Sequence, residues 1–330
     1  MGLVSNLEPQ CQAGHDRSAE AVDLGRLFKQ RLETIAADTE AVLDRLLAPQ
    51  PVPGERVRPA RLLDAMRYAS LGGGKRIRPF LVVETAALFD VPRRQALMVA
   101  AALECVHCYS LVHDDLPAMD NDALRRGRPT AHKAFDEATA ILAGDGLLTF
   151  AFDILSRPQM HANATVRMEL VCALARAAGV GGMAGGQMLD LAAEGRFASR
   201  NTTLDFNDIR TLQAMKTGAL LQFACNSGAM LGGAGRDART ALERYGTAIG
   251  EAFQIADDLL DVDGDAATVG KATRKDAAAH KATLVTLLGL DGARNRLAAL
   301  VGEAQAALAL FGADANVLNE AALFIANRRS

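Results

Sequence analysis

The sequence has no tryptophan and only three tyrosines, and aromatic residues make up 5% of its 330 positions, although half of all residues are hydrophobic. A β-sandwich of this size would use more Val, Ile, Thr and Tyr, whereas a chain rich in Ala and Leu favours close packing of helices. Proline is also missing from a large part of the chain, because all ten prolines lie at or before Pro158 and residues 159–330 contain none. These absences point to an all-α protein.

The sequence also shows no large excess of charge of one sign, no even number of cysteines and no recognisable signal-peptide pattern. The net charge of −3 argues against a nucleic-acid partner, whose binding domain would be strongly basic. Five cysteines are an odd number and suit a reducing compartment. No basic start is followed by an apolar stretch, and no uncharged apolar run reaches the roughly 18 residues of a membrane span. We therefore expect a cytoplasmic protein with no membrane span.

The chain is predicted to contain a loose N-terminal segment, 1–25, and one helical domain, 26–330. Apolar residues recur at helical spacing over 27–47, and prolines from Pro49 onward end that helix. The proline-free half reads as helices separated by glycine clusters at 179–186, 232–235 and 264–270. The expected architecture is a single-domain antiparallel helical bundle.

A first group of acids follows a strongly apolar helical stretch. This first acidic segment, 113–122, contains Asp114, Asp115, Asp120 and Asp122. Buried carboxylates are costly unless they are paired or bound to a cation, and oxygen ligands suit a hard ion such as Mg²⁺. On a straight helix Asp114 and Asp120 would point about 120° apart, but Pro117 should end the helix and can bring them together.

A second group of acids lies far downstream. In this second acidic segment, 253–261, Asp257 and Asp261 are one helical turn apart on the same face. No basic residue stands three or four positions after Asp257 to neutralise it. Either segment alone could be a set of solvated acids, but two in one helical chain predict facing metal sites.

Cations complement the acids. The basic loop, 72–79, has the sequence GGGKRIRP and places Lys75, Arg76 and Arg78 beside flexible glycines. Glycine allows close approach of the backbone to a ligand, and arginine grips phosphate oxygens. Acidic groups for Mg²⁺ together with separate cations describe a site for two diphosphates.

With these motifs the chain resembles the trans-isoprenyl diphosphate synthases, specifically the bacterial farnesyl or short-chain geranylgeranyl type. The resemblance runs from about Leu27 to the C-terminus. Its motifs are GGGKRIRP, HDDLPAMDNDALRRGRPTAH, GGQMLDL (185–191), MKTGAL (215–220), FQIADDLLD and VGK (269–271). It implies the isoprenoid synthase fold, a helical bundle around a deep central cavity, and a homodimer.

The resemblance also assigns roles to individual residues. It implies Mg²⁺ ligands at Asp114, Asp120, Asp257, Asp258 and Asp261. It implies an isopentenyl diphosphate site at Lys75, Arg78, His107 and Arg126. It implies an allylic diphosphate site at Arg125, Lys216, Thr217, Gln254, Lys271 and Lys281. The catalytic set that we expect is Asp114, Asp115, Asp120, Lys216, Thr217, Gln254 and Asp257.

The activity implied is condensation of isopentenyl diphosphate with dimethylallyl or geranyl diphosphate, with three Mg²⁺ ions bound beside the allylic diphosphate. Five residues before Asp114, Tyr109 lies about 7.5 Å deeper along the helix and is followed by Ser110. A ring at this position limits the product of such enzymes to C15, so we expect farnesyl diphosphate. The alternatives are a geranylgeranyl diphosphate synthase and a non-catalytic regulatory subunit of a prenyl synthase.

Overall fold

A computed structural model of the chain describes residues 12–197, 204–264 and 283–327, with side chains described for 23–197, 204–262 and 283–327. Across these ranges the protein is a bundle of helices. The first six helices are α1 (Gln12–Leu46), α2 (Ala60–Ser70), α3 (Ile77–Ala87), α4 (Arg93–Asp114), α5 (Ala131–Ala134) and α6 (Glu137–Ser156). A hairpin of β1 (Leu124–Arg125) and β2 (Arg128–Pro129) is the only sheet in the described part of the chain.

The second half continues the bundle with α7 (Ala164–Ala178), α8 (Met183–Ala193), α9 (Phe206–Gln213), α10 (Ala219–Leu231), α11 (Arg236–Gly264), α12 (Leu284–Ala307) and α13 (Asn316–Asn327). A single π-helical turn, Ala214–Gly218, joins α9 to α10, and a 3₁₀ segment, Ala309–Ala315, precedes α13. The all-α prediction is confirmed.

Local signals in the sequence set several helix ends. Asp136 accepts a hydrogen bond from the Thr139 amide at the start of α6, and Asp205 caps α9 through the amides of Asn207 and Asp208. Such caps satisfy amide donors that have no partner inside the helix. At the start of the chain α1 begins at Gln12, inside the segment 1–25 that we expected to be loose, and residues 1–11 lie outside the described residues.

Helix α4 lies at the centre of the bundle and packs against α1, α3, α6 and α10. Small residues allow these helices to approach closely, as where α3 and α10 meet. A Cβ on Gly228 of α10 would lie only 2.4 Å from the backbone nitrogen of Ala86 on α3. The core is therefore close-packed helix against helix, and α4 carries the first acidic segment at its C-terminal end.

Four helical segments are long and apolar enough to cross a membrane by length and composition alone: Arg93–Asp114, Glu137–Ser156, Ala164–Ala193 and Ala309–Asn327. The sequence-based expectation rested on uncharged runs only, and these segments contain a few charges. In Arg93–Asp114, which is α4, 67% of the most apolar window is buried inside the protein. Its hydrophobicity serves the core of the bundle.

Candidate active site

The first acidic segment turns back on itself after α4. The helix ends at Asp114, and Pro117 follows three residues later. The Asp120 amide then donates to the Asp114 carbonyl at 2.8 Å, and the Asp122 amide donates to the Asp115 carbonyl at 3.2 Å. The segment thus folds back as Pro117 predicts, and it brings the backbone of Asp120 beside that of Asp114.

Electrostatics around Asp114 suit a cation. Burial raises the pKa of the Asp114 carboxyl to about 6, the nearby charge of Asp120 adds to the rise, and Lys216 opposes it. Two close, half-buried carboxylates are stabilised by a divalent ion. The described residues contain no group of three or more His, Cys, Asp or Glu side chains that could enclose a metal alone. A pair of carboxylates such as Asp114 and Asp120 suits Mg²⁺, which takes one or two carboxylates and completes its coordination with water and substrate phosphates.

Asp115 has a different environment from Asp114. Its carboxylate is buried and accepts hydrogen bonds from Nε and Nη2 of Arg125 at 2.7 and 2.6 Å. Burial raises the pKa of Asp115, and this bond to Arg125 counteracts part of the rise. The contact fixes Arg125, whose charge in turn acts on Asp114.

In the second acidic segment the three aspartates are not equivalent. Asp257 is half-buried and Asp261 is exposed, whereas Asp258 is buried between two glutamine amides. Gln213 Nε2 and Gln254 Nε2 each donate to one oxygen of Asp258 at 3.0 Å. Sequence reasoning grouped Asp258 with the Mg²⁺ ligands and did not foresee these two partners.

The π-helical turn carries two of the predicted catalytic residues, Lys216 and Thr217. Lys216 Nζ pairs with the Asp190 carboxylate of α8, and the Thr217 hydroxyl donates to Gln254 Oε1 at 3.1 Å. A π turn inserts one residue into the helical repeat and frequently marks a functional site. The Thr217–Gln254 bond joins this turn to the helix of the second acidic segment.

The basic loop is assembled with Arg126 and His107. Arg126, in the left-handed conformation at φ 52°, donates to the Gly73 carbonyl, and Arg78 Nη1 lies 3.5 Å from His107 Nε2. Burial lowers the pKa of His107 well below its usual value, and the positive charges of Arg78 and Arg126 lower it further. His107 is thus held neutral among cations. Lys75 lies apart from this group, with Nζ over the ring of Phe324 in α13.

Arg76, in the same loop, was counted from the sequence among the cations available for phosphate, but the structure uses it differently. Its guanidinium is buried, pairs with Glu104 of α4 and donates to the Ser70 carbonyl at 2.5 Å. Arg76 is in the left-handed conformation at φ 49° and precedes α3 directly. This ion pair anchors the basic loop to α4 between Lys75 and Arg78.

One cavity of about 370 Å³ unites much of this chemistry. Its polar lining includes Arg78, His107, Ser110, Asp114, Gln187, Lys216 and Thr217. Its apolar lining includes Tyr109, Leu111, Met119, Met183, Met188, Leu191 and Leu220. A cavity lined by cations, a carboxylate, methionines and leucines can hold a substrate with an anionic head and an apolar tail.

Two residues of the GGQMLDL motif gain contacts that sequence reasoning did not predict. Asp190 binds Lys216, and Gln187 lines the cavity with neither amide atom hydrogen-bonded to any described residue. The motif itself was visible, but nothing in its spacing indicated these partners.

Of the other residues considered from the sequence, Lys271 and Lys281 lie outside the described residues. Cys105 and Cys108 are buried free thiols.

Comparisons with known proteins point in one direction. Residues 59–311 match the family model described as polyprenyl synthetase. The chain is 44% identical to the farnesyl diphosphate synthase of Escherichia coli over 283 residues, which cover 85% of this chain and 91% of that protein. It is 40% identical to the geranylgeranyl diphosphate synthase of Cyanophora paradoxa over 83% of this chain and 90% of that one. A crystal structure of an FPP/GFPP synthase from Zymomonas mobilis superposes with a TM-score of 0.81 at 46% identity, covering 92% of this chain and 99% of the other.

Proposed function

Because the chain belongs to the polyprenyl synthetase family, we propose that it condenses isopentenyl diphosphate with dimethylallyl and geranyl diphosphate to give farnesyl diphosphate. The observation that carries this proposal is the cavity itself. Asp114, Lys216 and Thr217 share it with Arg78 and His107, so carboxylate, cations and an apolar tail-binding wall surround one space. A prenyl donor and a prenyl acceptor need these three features together.

The two diphosphates would occupy different groups of cations. Arg78, His107 and Arg126 form one group, which would receive isopentenyl diphosphate. Lys75 lies over Phe324 and belongs to this group only by resemblance. Arg125 and Lys216 act electrostatically on Asp114 and would receive the allylic diphosphate. Lys271 and Lys281 belong to this second group only by resemblance.

Asp114 and Asp120 of the first segment and Asp257 of the second would hold Mg²⁺, and Asp261 lies one turn further on the same helix face. Three ions are proposed beside the allylic diphosphate. When bound, Mg²⁺ supplies the positive charge that makes diphosphate a good leaving group. The fit of the residues rests on the raised pKa of Asp114 and on the closeness of Asp120.

The chain's own residues would do the rest of the chemistry. Lys216 and Arg125 neutralise charge on the departing diphosphate, which favours cleavage of the allylic C–O bond. The hydroxyl of Thr217 and the amide oxygen of Gln254, with the Lys216 carbonyl, present partial negative charge to the allylic cation. The apolar wall excludes water and holds the alkene of isopentenyl diphosphate in position for attack. The proton then leaves the condensed product, and the released diphosphate is the proposed acceptor.

Product length is proposed to depend on Tyr109. Its half-buried ring lines the cavity five residues before Asp114 and meets His113 edge-on, with ring centroids 5.5 Å apart. A ring supported in this way would stop tail growth at C15. Geranylgeranyl diphosphate is the second candidate, because Ser110 beside Tyr109 is small and one relative at 40% identity is a geranylgeranyl diphosphate synthase.

A homodimer in the cytoplasm is proposed as the working form. Helices α6 to α8 support an interface, because this region leaves several large apolar side chains uncovered within one chain. Leu142, Met168 and Val180 in this region are 57%, 62% and 92% exposed. Such apolar surface is typical of a face that a second subunit covers.

The direct test is incubation of the purified chain with labelled isopentenyl diphosphate, each allylic diphosphate in turn, and Mg²⁺. The dephosphorylated products are then sized by chromatography. We expect a C15 alcohol as the main product from both starters. A C20 product would select the second candidate, and no condensation with any starter would select the regulatory subunit.

A further inference from the structure

Asp258 stands among acids that resemble metal ligands, but its environment differs from theirs. The residue is only 6% exposed, and its two carboxylate oxygens accept from two different amides, Gln213 Nε2 and Gln254 Nε2, each at 3.0 Å. The backbone amide of Leu284 is a third donor to this carboxylate. Three protein donors occupy most of the roughly four acceptor sites of an ionised carboxylate, and little room is left for an ion. Its acceptors face protein groups.

The two glutamines flank the π-helical turn Ala214–Gly218. Gln213 is the residue directly before the turn, and Gln254 accepts from the hydroxyl of Thr217 within it at 3.1 Å. Asp258 therefore binds the start of the turn through one glutamine and its middle through the other. Helix α11 and the turn are joined at both points by a single side chain.

Asp258 also determines which end of the Gln254 amide faces Thr217. An ionised carboxylate only accepts hydrogen bonds, so the Gln254 NH₂ group must point to Asp258 and the amide oxygen must point away from it. That oxygen meets Thr217, which lines the cavity. Without the carboxylate the amide could turn over and present its NH₂ group, which carries partial positive charge.

On the sides away from the cavity, the turn is in close contact with α8 and α11. A Cβ on Gly186 of α8 would lie 2.2 Å from the backbone nitrogen of Lys216, and one on Gly250 of α11 would lie 3.0 Å from the Cα of Gly218. The turn is held between two helices that approach it through glycines. Because Lys216 and Thr217 belong to the turn, any shift of the turn moves both side chains.

We infer that Asp258 is a positioning residue, which fixes the amide of Gln254 and the π-helical turn through its two glutamine partners, and is not a ligand of Mg²⁺. This inference rests on the proposed function for its catalytic consequence. Its structural part, the link from Asp258 to the turn, stands on the contacts alone.

The test compares Asp258→Asn with Asp257→Asn. Asparagine keeps the shape of the side chain but offers one acceptor in place of two. We expect Asp258→Asn to lower kcat by about tenfold or more. Its affinity for Mg²⁺ with inorganic pyrophosphate, measured by calorimetry, should stay within about twofold of the unmodified chain. Asp257→Asn should weaken that binding strongly. If both variants bound Mg²⁺ with pyrophosphate equally weakly, Asp258 would be a metal ligand. If Asp258→Asn had an unchanged kcat, Asp258 would have no positioning role.

A second substitution examines the glutamine link directly. In the double variant Asp258→Asn with Gln213→Glu, the new carboxylate can accept from the asparagine NH₂, and the asparagine oxygen is free to accept from Gln254. We expect most of the lost kcat to return, whereas Gln213→Glu alone places two carboxylates together and should be impaired. A double variant no better than Asp258→Asn contradicts the inference. If Asp258→Asn does not fold, Gln213→Met tests the same link, with lowered kcat and unchanged Mg²⁺–pyrophosphate binding expected.

Hydrogen–deuterium exchange separates this inference from the proposed function. Amides of a peptide spanning 214–218 should exchange faster in Asp258→Asn and return toward the original rate in the double variant, while peptides of α4 stay unchanged. This readout needs no substrate. If the unmodified chain makes no prenyl product, the proposed function is wrong. The link between Asp258 and the π-helical turn is then tested by hydrogen–deuterium exchange alone. Unchanged exchange in the turn would overturn the link.

Discussion

Asp114 combines a functional role with a cost to stability. Burial raises the pKa of its carboxyl to about 6, so ionisation at neutral pH opposes folding of the metal-free protein. We expect Asp114→Asn to lower turnover by orders of magnitude and to raise the free energy of unfolding without Mg²⁺ by about 1–3 kcal/mol at pH 8. Residues that serve function at the expense of stability behave in this way.

The sign of the pH dependence follows from the raised pKa. The penalty is fully present above pH 6, shrinks as the pH falls toward the unfolded-state value near 4, and vanishes below it. The stability gap between Asp114→Asn and the unmodified chain should therefore narrow from pH 8 to pH 4. Urea unfolding followed by circular dichroism at several pH values, without Mg²⁺, measures this. A stability difference between the two proteins that did not change with pH would contradict the raised pKa of Asp114.

Tyr109 permits a second test at the level of one side chain. Replacing it with alanine removes the ring that lines the cavity beside His113, so the growing tail can extend further. We expect Tyr109→Ala to shift the product from C15 to C20 or longer, as measured by chromatography of the dephosphorylated alcohols. Ser110→Ala is the matched control and should keep C15. An unchanged product from Tyr109→Ala would place the end of the pocket elsewhere.

Residue identities could be predicted from the sequence where chemistry is local. The acids of the first segment, the turn at Pro117 and the aromatic residue five positions before Asp114 are all visible within one stretch of chain. Asp258 shows the limit of this approach. Its neighbour Asp257 and the surrounding sequence motif suggest that Asp258 is a metal ligand. Its partner Gln213 lies 45 positions away in the sequence, and only folding brings it to the Asp258 carboxylate.

Among the helices, the contact between α3 and α10 depends on a missing side chain. A Cβ on Gly228 would lie 2.4 Å from the nitrogen of Ala86 and 2.6 Å from Thr85 Oγ1. We expect Gly228→Ala to lower the free energy of unfolding by about 1–3 kcal/mol through overpacking. Gly302→Ala in α12 is the control, because a Cβ there meets open space. It should raise stability by about 0.5–1 kcal/mol, since alanine favours the helix. Urea unfolding distinguishes the two, and equal effects would contradict the packing argument.

Helix boundaries were predictable to different degrees. The end of α1 before Pro49 and the break at Gly232 follow from proline and glycine chemistry, and both are found. The start of α1 at Gln12 was not predicted, because residues 12–26 have few apolar positions at helical spacing. The π-helical turn was not predictable either, since the segment AMKTG has no special spacing and its geometry depends on packing against Gly186 and Gly250.

For the molecule as a whole, the apolar faces of α6 and α7 lead to a prediction about assembly. We expect the chain to sediment as a dimer, and Met168→Glu to shift it toward monomer, because a charge would be buried in the interface. Met168 is 62% exposed in the single chain, and Leu310 has the same exposure on the 3₁₀ segment before α13. Leu310→Glu is therefore a matched control that should leave the dimer intact. Sedimentation velocity measures both, and an unmodified chain that stays monomeric at high concentration would contradict the proposal.

The overall architecture could be inferred because composition and motif order agree. Scarce aromatics and a proline-free second half indicate a helical bundle, and the order of the acidic and basic segments indicates the family. The cavity could be expected but not mapped. Its lining combines residues of α3, α4, α8, the π-helical turn and α10, and no spacing along the chain indicates which side chains of five separate elements will meet.

The π-helical turn Ala214–Gly218 contains one residue more than a regular α-helical turn would, as if a residue had been inserted there. Deleting one residue such as Ala214 would let the backbone return to the regular α-helical repeat, so that the flanking helices keep their faces while the side chains of the turn change direction. Lys216 would then leave Asp190, and the chain could still fold as a bundle. Loss of a single residue would thus separate catalysis from architecture.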